Sequence, residues 1–165
     1  MKGIISAMDI SPDSGVLAAG TLARSVGLYD QEGSGEVVSI FSVAEEDEQT
    51  SNSLKGVTYI RWSSCGTYLY VAERKSDKVT VWDVRKLFGK VATLTGREAL
   101  TVQRMGIDVF LGEGARDMVV AGGLDGKIKM WDVHGDTCPM GQWEAHSGEH
   151  PRSFKWVRVG ESDER

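Results

Sequence analysis

Three dipeptides, Tyr29-Asp30, Trp82-Asp83 and Trp131-Asp132, each close a short apolar run, and they recur at intervals of 53 and 49 residues. A period of that length means a repeat architecture, in which each unit is one supersecondary piece that buries its faces only against its neighbours. The runs are Val26-Gly-Leu-Tyr29, Val79-Thr-Val-Trp82 and Ile128-Lys-Met-Trp131. Upstream of each lies a second apolar strand (16–20, 68–72, 118–122), and before that a third (4–10, 57–62, 105–111). A fourth follows each dipeptide, at 36–43, 90–94 and 141–145. The first two strands of each repeat are separated by Pro12-Asp13-Ser14-Gly15, Ser64-Cys65-Gly66-Thr67 or Gly112-Glu113-Gly114. Proline presets φ, glycine supplies positive φ, and Asp or Ser bonds its own backbone, so these are turns with a mechanism. Asp125-Gly126 is the dipeptide preferred for a type I′ hairpin turn.

The totals fit such a chain and exclude some roles. The 165 residues are 41% apolar and 26% charged, and 20 glycines stand against 3 prolines, as many tight turns require. A net charge of −5 speaks against a chain-wide basic footprint for nucleic acid or acidic membranes, though not against a local patch. No apolar run approaches the ~20 residues of a membrane-spanning helix, and the opening residues lack the apolar core of a secretory signal. Cys65 and Cys138 form no C-x-x-C unit and suit a reducing compartment. The segment 45–53, Glu-Glu-Asp-Glu-Gln-Thr-Ser-Asn-Ser, reads as a polar loop that lengthens the first repeat.

Four-strand repeats ending in Trp-Asp resemble the WD40 pattern, in which each repeat makes one blade of a β-propeller. The resemblance implies an all-β fold, a partial propeller of about three four-stranded antiparallel blades at about 2–44, 54–95 and 102–146. The remaining 147–165 shows no further repeat and reads as a tail, truncated or disordered. Because a propeller closes with ~4–8 blades, the chain reads as part of one, with open ends expected to self-associate or aggregate. The repeat signature comprises Tyr29, Asp30, Trp82, Asp83, Asp125, Trp131, Asp132 and the inter-blade His146. In the second repeat the offset of Asp125 falls on Ser76, with Asp77 one residue late. Trp62, Trp82 and Trp131 are expected in the core, Trp143 less firmly, and of Tyr59, Tyr68 and Tyr70 at least one is expected partly exposed.

More specific segments are Lys2-Gly-Ile-Ile-Ser6, Arg24-Ser-Val-Gly-Leu-Tyr29, Gly56-Val-Thr58, Arg74-Lys75, Trp82-Asp-Val-Arg85 and, above all, Gly96-Arg97-Glu98 with Thr101, Gln103, Arg104 and Asp108. Together they resemble the telomerase Cajal body protein family, over roughly residues 2–133. That resemblance implies a non-enzymatic, nuclear scaffold that binds small nuclear or Cajal body RNA, telomerase RNA among them, and proteins of RNA-protein complexes. Fungal relatives of the family are associated with splicing. The alternative is a purely protein-binding scaffold, with cytoplasm the alternative compartment. Membranes and small-molecule substrates are not implied.

Strand order places the loop between second and third strands on the same end of the propeller as the loop to the next blade. Arg24, Arg74, Lys75, Lys78, Arg97, Arg104 and Lys127 are therefore expected on one face, and Arg85, Lys86 and Lys90 on the other. Arg97, Gln103, Arg104, Arg74 and Lys75 are the candidate RNA or partner contacts, since Lys and Arg neutralise phosphates and Arg or Gln reads base edges. Arg97 or Glu98 has a second reading, tying the inter-blade loop to a neighbouring blade. The acidic 45–48 and Asp77, Glu98 and Asp125 oppose a simple basic patch. His134, Cys138, His146 and His150 are ligand types for zinc, but Gly148 and Pro151 oppose the helix such a pair needs, so no metal and no cofactor are expected. No catalytic constellation is visible.

Overall fold

The computed structural model describes residues 1, 3–44, 54–85, 89–133 and 137–145. Twelve strands among them form three four-stranded antiparallel sheets. The first blade is β1 (Ile5–Ile10), β2 (Leu17–Thr21), β3 (Ser25–Tyr29) and β4 (Val37–Ser42). The second is β5 (Gly56–Trp62), β6 (Tyr68–Arg74), β7 (Val79–Asp83) and β8 (Gly89–Leu94); the third is β9 (Ile107–Leu111), β10 (Asp117–Gly122), β11 (Lys127–Asp132) and β12 (Gly141–Glu144). Within each blade the strands pair in chain order, so the all-β, three-blade reading of the repeats holds. Only β9 starts noticeably later than its apolar run, because the Met105 carbonyl ahead of it accepts from Arg97.

The repeats match down to an irregularity. β1 slips register between Ile5 and Ala7, and β5 slips between Val57 and Tyr59 at the equivalent place. One turn differs from its expected type. A type I′ turn needs positive φ at two successive residues, but at Asp125-Gly126 only Gly126 is left-handed, with φ +74°, and its N–H reaches back to the Gly123 carbonyl at 3.3 Å. The Asp125 carboxylate instead accepts the Lys127 N–H and pairs with buried Lys129 at 2.9 Å.

The cores lie between blades. Blades 1 and 2 bury Ala7, Ala18, Val26, Leu28, Val57, Ile60, Trp62, Leu69 and Val71 against each other, with Trp82 packed at the edge and its ring 5.2 Å from Phe41. Blades 2 and 3 bury Tyr70, Ala72, Val79, Val81, Leu94, Ile107, Val119, Ala121 and Trp131. Polar ties close the same seams. Asp9 accepts the Trp62 N–H at 2.8 Å and its carbonyl accepts the indole N–H at 3.2 Å. Asp117 accepts the Tyr70 hydroxyl at 3.1 Å and the Ser64 N–H at 3.3 Å. Burial, with the Asp117 charge second, pushes the Tyr70 hydroxyl well above its ordinary pKa. Trp62 and Trp131 are core as expected, Trp82 and Trp143 are half-buried, and Tyr59 and Tyr68 are the partly exposed tyrosines.

The same face that blade 2 presents to blade 1 is open on blade 1. Val57, Ile60 and Trp62 are 0%, 1% and 5% exposed, while their counterparts Ile5, Met8 and Ile10 are 52%, 60% and 45% exposed. This difference yields a direct test. Ile60→Ala should cost about 2–5 kcal/mol as a buried large-to-small change, and Met8→Ala should stay within about 0.5 kcal/mol. Equal losses in urea midpoints would contradict the assignment of a packed and an open face.

Candidate functional site

The loop from β8 to β9, residues 95–106, is pinned by backbone and side-chain bonds to both neighbours. The Arg97 N–H donates to the Asp77 carbonyl at 3.2 Å, and the Asp77 carboxylate accepts the Ala99 N–H at 3.1 Å. The Lys75 N–H donates to the Thr101 carbonyl at 2.7 Å, which ties the loop to the β6–β7 turn. The Leu124 N–H donates to the Glu98 carbonyl at 2.7 Å, which ties it to the β10–β11 turn. Glu98 and Lys75 are left-handed, with φ +56° and +50°. Gly123 is needed where these segments meet, since a Cβ there would stand 2.8 Å from the Arg97 carbonyl oxygen and 2.3 Å from the Asp125 carboxylate.

Arg97 is the centre of this arrangement. Its side chain is 1% exposed, Nη2 donates to the Met105 carbonyl, and Nε has no partner among the described residues. Burial pushes its pKa down to about 10, with the nearby Asp77 charge opposing that shift. The guanidinium bond stays within the inter-blade loop, whereas the ties from this loop to the neighbouring turns run through the Arg97 N–H, the Ala99 N–H and the Thr101 and Glu98 carbonyls. Asp77, whose position is one residue late for the repeat, is the partner that sequence reasoning missed. Its lateness was visible; that it caps this loop was not.

The remaining candidates differ. Gln103 and Arg104 are exposed. The Arg104 guanidinium lies 5.0 Å from the Tyr59 ring centroid, and Arg61 lies 5.1 Å from the same centroid. Arg61 also links the inner strands, 3.8 Å from Asp9 and 3.5 Å from Asp108. Arg74 is half-buried, with an Nε that has no partner among the described residues, while Lys75 is exposed. Arg24 is held by Glu73 through bonds of 2.6 and 3.0 Å.

Arg24, Lys75 and Lys78 share one depression with Lys55, Glu73, Asp77 and Leu100, so the turns expected on one end do converge. Lys55 had no sequence signal beyond its place after the acidic segment. At the other end, Asp83 is buried and accepts from Arg85 at 2.9 and 3.2 Å. Tyr29 is half-buried, Asp30 caps the Gln31 N–H at 2.8 Å, and Asp132 sits 3.4 Å from Arg116. Trp131 donates its indole N–H to the Thr95 carbonyl at 3.0 Å. His146, with His134, His150, Lys2, Lys86 and the acidic segment 45–53, lies outside the described residues. Among the described residues no cluster fits a metal ion.

Residues 109–132 match the family model described as WD domain, G-beta repeat. The RRP9 WD40 repeats superpose with a TM-score of 0.66 at 17% identity, over 89% of this chain and 40% of that one. The chain is a WD40-repeat protein. Over 132 residues, 79% of its length, this WD40 chain is 36% identical to guanine nucleotide-binding protein negative regulator 1 of Schizosaccharomyces pombe. It is 27% identical to telomerase Cajal body protein 1 of Bos taurus over 134 residues, 81% of its length. It spans 30% of the first relative and 22% of the second.

The buried Arg97 makes a stability prediction separate from any ligand. Arg97→Ala orphans the Met105 carbonyl and should lower unfolding free energy by at least about 1–3 kcal/mol. An unchanged urea midpoint would show that the loop does not depend on this side chain.

Proposed function

We propose that this WD40 chain belongs to a non-enzymatic, nuclear scaffold of a small nuclear or Cajal body RNA-protein complex. It contacts RNA through the face on which the 95–106 loop lies. The observation that carries the reading is the division of labour within that loop. Arg97 and Asp77 hold it from inside, and the same segment leaves Gln103 and Arg104 exposed. A rigid loop presenting an amide and a guanidinium suits base-edge contacts and stacking, because little ordering entropy is lost on binding. The residues responsible are those that resemble the telomerase Cajal body family, and a protein of that name is among the relatives. The open apolar face of blade 1, with Ile5, Met8 and Ile10 exposed, supports the expectation of self-association.

A second reading, a scaffold gripping only proteins, draws on the net charge of −5 and on Glu98 and Asp125 beside the basic residues. Salt dependence and crosslinking separate the two. Ultraviolet crosslinking of the protein in cells should enrich small nuclear RNAs, and Arg104→Ala should weaken binding of the enriched RNA by about 1–3 kcal/mol. Absence of any enriched small nuclear RNA would leave the protein-only scaffold in its place.

A further inference from the structure

Two guanidiniums converge on one aromatic ring where the 95–106 loop runs into blade 3. Tyr59 and Arg61 stand two residues apart on β5 and so project from the same side of it. Arg61 lies 5.1 Å from the centre of the Tyr59 ring, and Arg104 reaches in from the loop to 5.0 Å from the same centre. The backbone closes on this ring as well, since a Cβ built at Gly106 would stand 3.5 Å from its hydroxyl end. Both cations are within the ~6 Å at which a ring quadrupole attracts a charge. Their surroundings differ. Arg61 is paired with Asp9 of β1 at 3.8 Å and with Asp108 of β9 at 3.5 Å, so its charge is balanced from the blades on either side. Arg104, which is exposed, pairs with no carboxylate among the described residues, and the Tyr59 ring is what sets its place.

Charge and shape select what can bind here. Two arginines and two carboxylates sum to zero, so the cluster as a whole offers a phosphate little attraction. An uncharged planar group is favoured instead. A guanidinium is planar, weakly hydrated and stacks on π faces. One already held over a tyrosine ring has given up much of the rotamer freedom of a surface arginine, so less ordering entropy is lost when a ligand covers it. Leu100 and Val102, 68% and 54% exposed, add apolar surface on the same loop, and the exposed Gln103 stands next in sequence with an amide that can meet a base edge.

We infer that Tyr59 is the positioning residue of this face: steadied by Arg61 and its two carboxylates, its ring holds the Arg104 guanidinium as a platform on which an unpaired RNA base stacks. The inference rests on the RNA reading of the face and names the contact through which a base is gripped. Because no phosphate is neutralised at the platform, the affinity that Tyr59 contributes is independent of salt.

The test uses the 165-residue chain with two fluorescein-labelled probes, oligoadenylate and an abasic ribose-phosphate oligomer of the same length, titrated by anisotropy across a salt series. Tyr59→Leu should weaken oligoadenylate binding about two- to fivefold and leave the salt slope unchanged, whereas Tyr59→Phe, which keeps the ring, should bind as the unmodified chain does. Arg104→Ala should weaken binding about fivefold or more, and adding Tyr59→Leu to it should bring no further loss. The abasic oligomer should bind the unmodified chain and Tyr59→Leu alike. Additive losses in the double variant, or an equal loss with the abasic oligomer, would show that Tyr59 acts only through the fold and would overturn the platform. Full oligoadenylate affinity in Tyr59→Leu would overturn it while leaving RNA recognition by the loop intact. Failure of the unmodified chain to bind oligoadenylate, with crosslinking also blank, would overturn the RNA reading and the platform with it, in favour of the protein-only scaffold.

Discussion

A four-stranded blade has two apolar faces and no way to cover both alone, and every other feature of this chain follows from that. The seams between blades hold the cores, and each blade shields its neighbour's inner three strands. Burying such faces is worth roughly 25 cal/mol for each Å² removed from water, which dwarfs any single hydrogen bond in the structure. The polar ties at the seams have a different role. Asp9 on Trp62 and Asp117 on Tyr70 fix how one blade sits on the next, because a slipped blade would strand a buried donor or carboxylate. Blade 1 shows the same constraint unmet, with Ile5, Met8 and Ile10 turned outward.

The 95–106 loop uses the constraint for a second purpose. A connection between blades must cross from an outermost strand to the next innermost one, which leaves a long stretch of backbone with polar groups to satisfy. Here that stretch is bonded to the β6–β7 turn through Asp77 and Lys75 and to the β10–β11 turn through Leu124. Arg97 fills its interior. A buried guanidinium is costly to desolvate, and its lowered pKa reflects that cost. The return is a loop held in one conformation with Gln103 and Arg104 on its outer side. Family resemblance concentrated in this loop therefore carries two meanings, one for the interior of the protein and one for its surface.

Strand positions were legible in the sequence because the repeat supplied three copies of the same pattern, and turns such as Ser64-Cys65-Gly66-Thr67 have local causes. Trp62 and Trp131 could be placed in the core for the same reason. What stayed hidden depends on long-range approach. Arg97 and Gln103 lie six residues apart in one segment and have equal claims as polar residues, yet one is buried and the other exposed, because Met105 and Asp77 happen to reach only the first. Asp77 looked like a repeat defect and is a loop cap. Lys55 and Leu100 had no local signal, since the depression they line exists only when blades 1 and 2 are packed. The turn at Asp125-Gly126 departs from its expected type because the Asp125 carboxylate is drawn forward to the Lys127 N–H and to Lys129 in β11.

The central claim is that a buried arginine braces the 95–106 loop from inside and so preserves its bonds to the two blades beside it. Amide hydrogen exchange on the unmodified chain and on Arg97→Ala reads this directly, through the Lys75 and Leu124 amides that bond to the loop and the Trp62 amide that bonds to Asp9 at the other seam. The account predicts that Lys75 and Leu124 lose protection by about tenfold or more, equivalent to ~1.4 kcal/mol of local opening, while Trp62 keeps its protection. Unchanged exchange at Lys75 and Leu124, or an equal loss at all three amides, would contradict it.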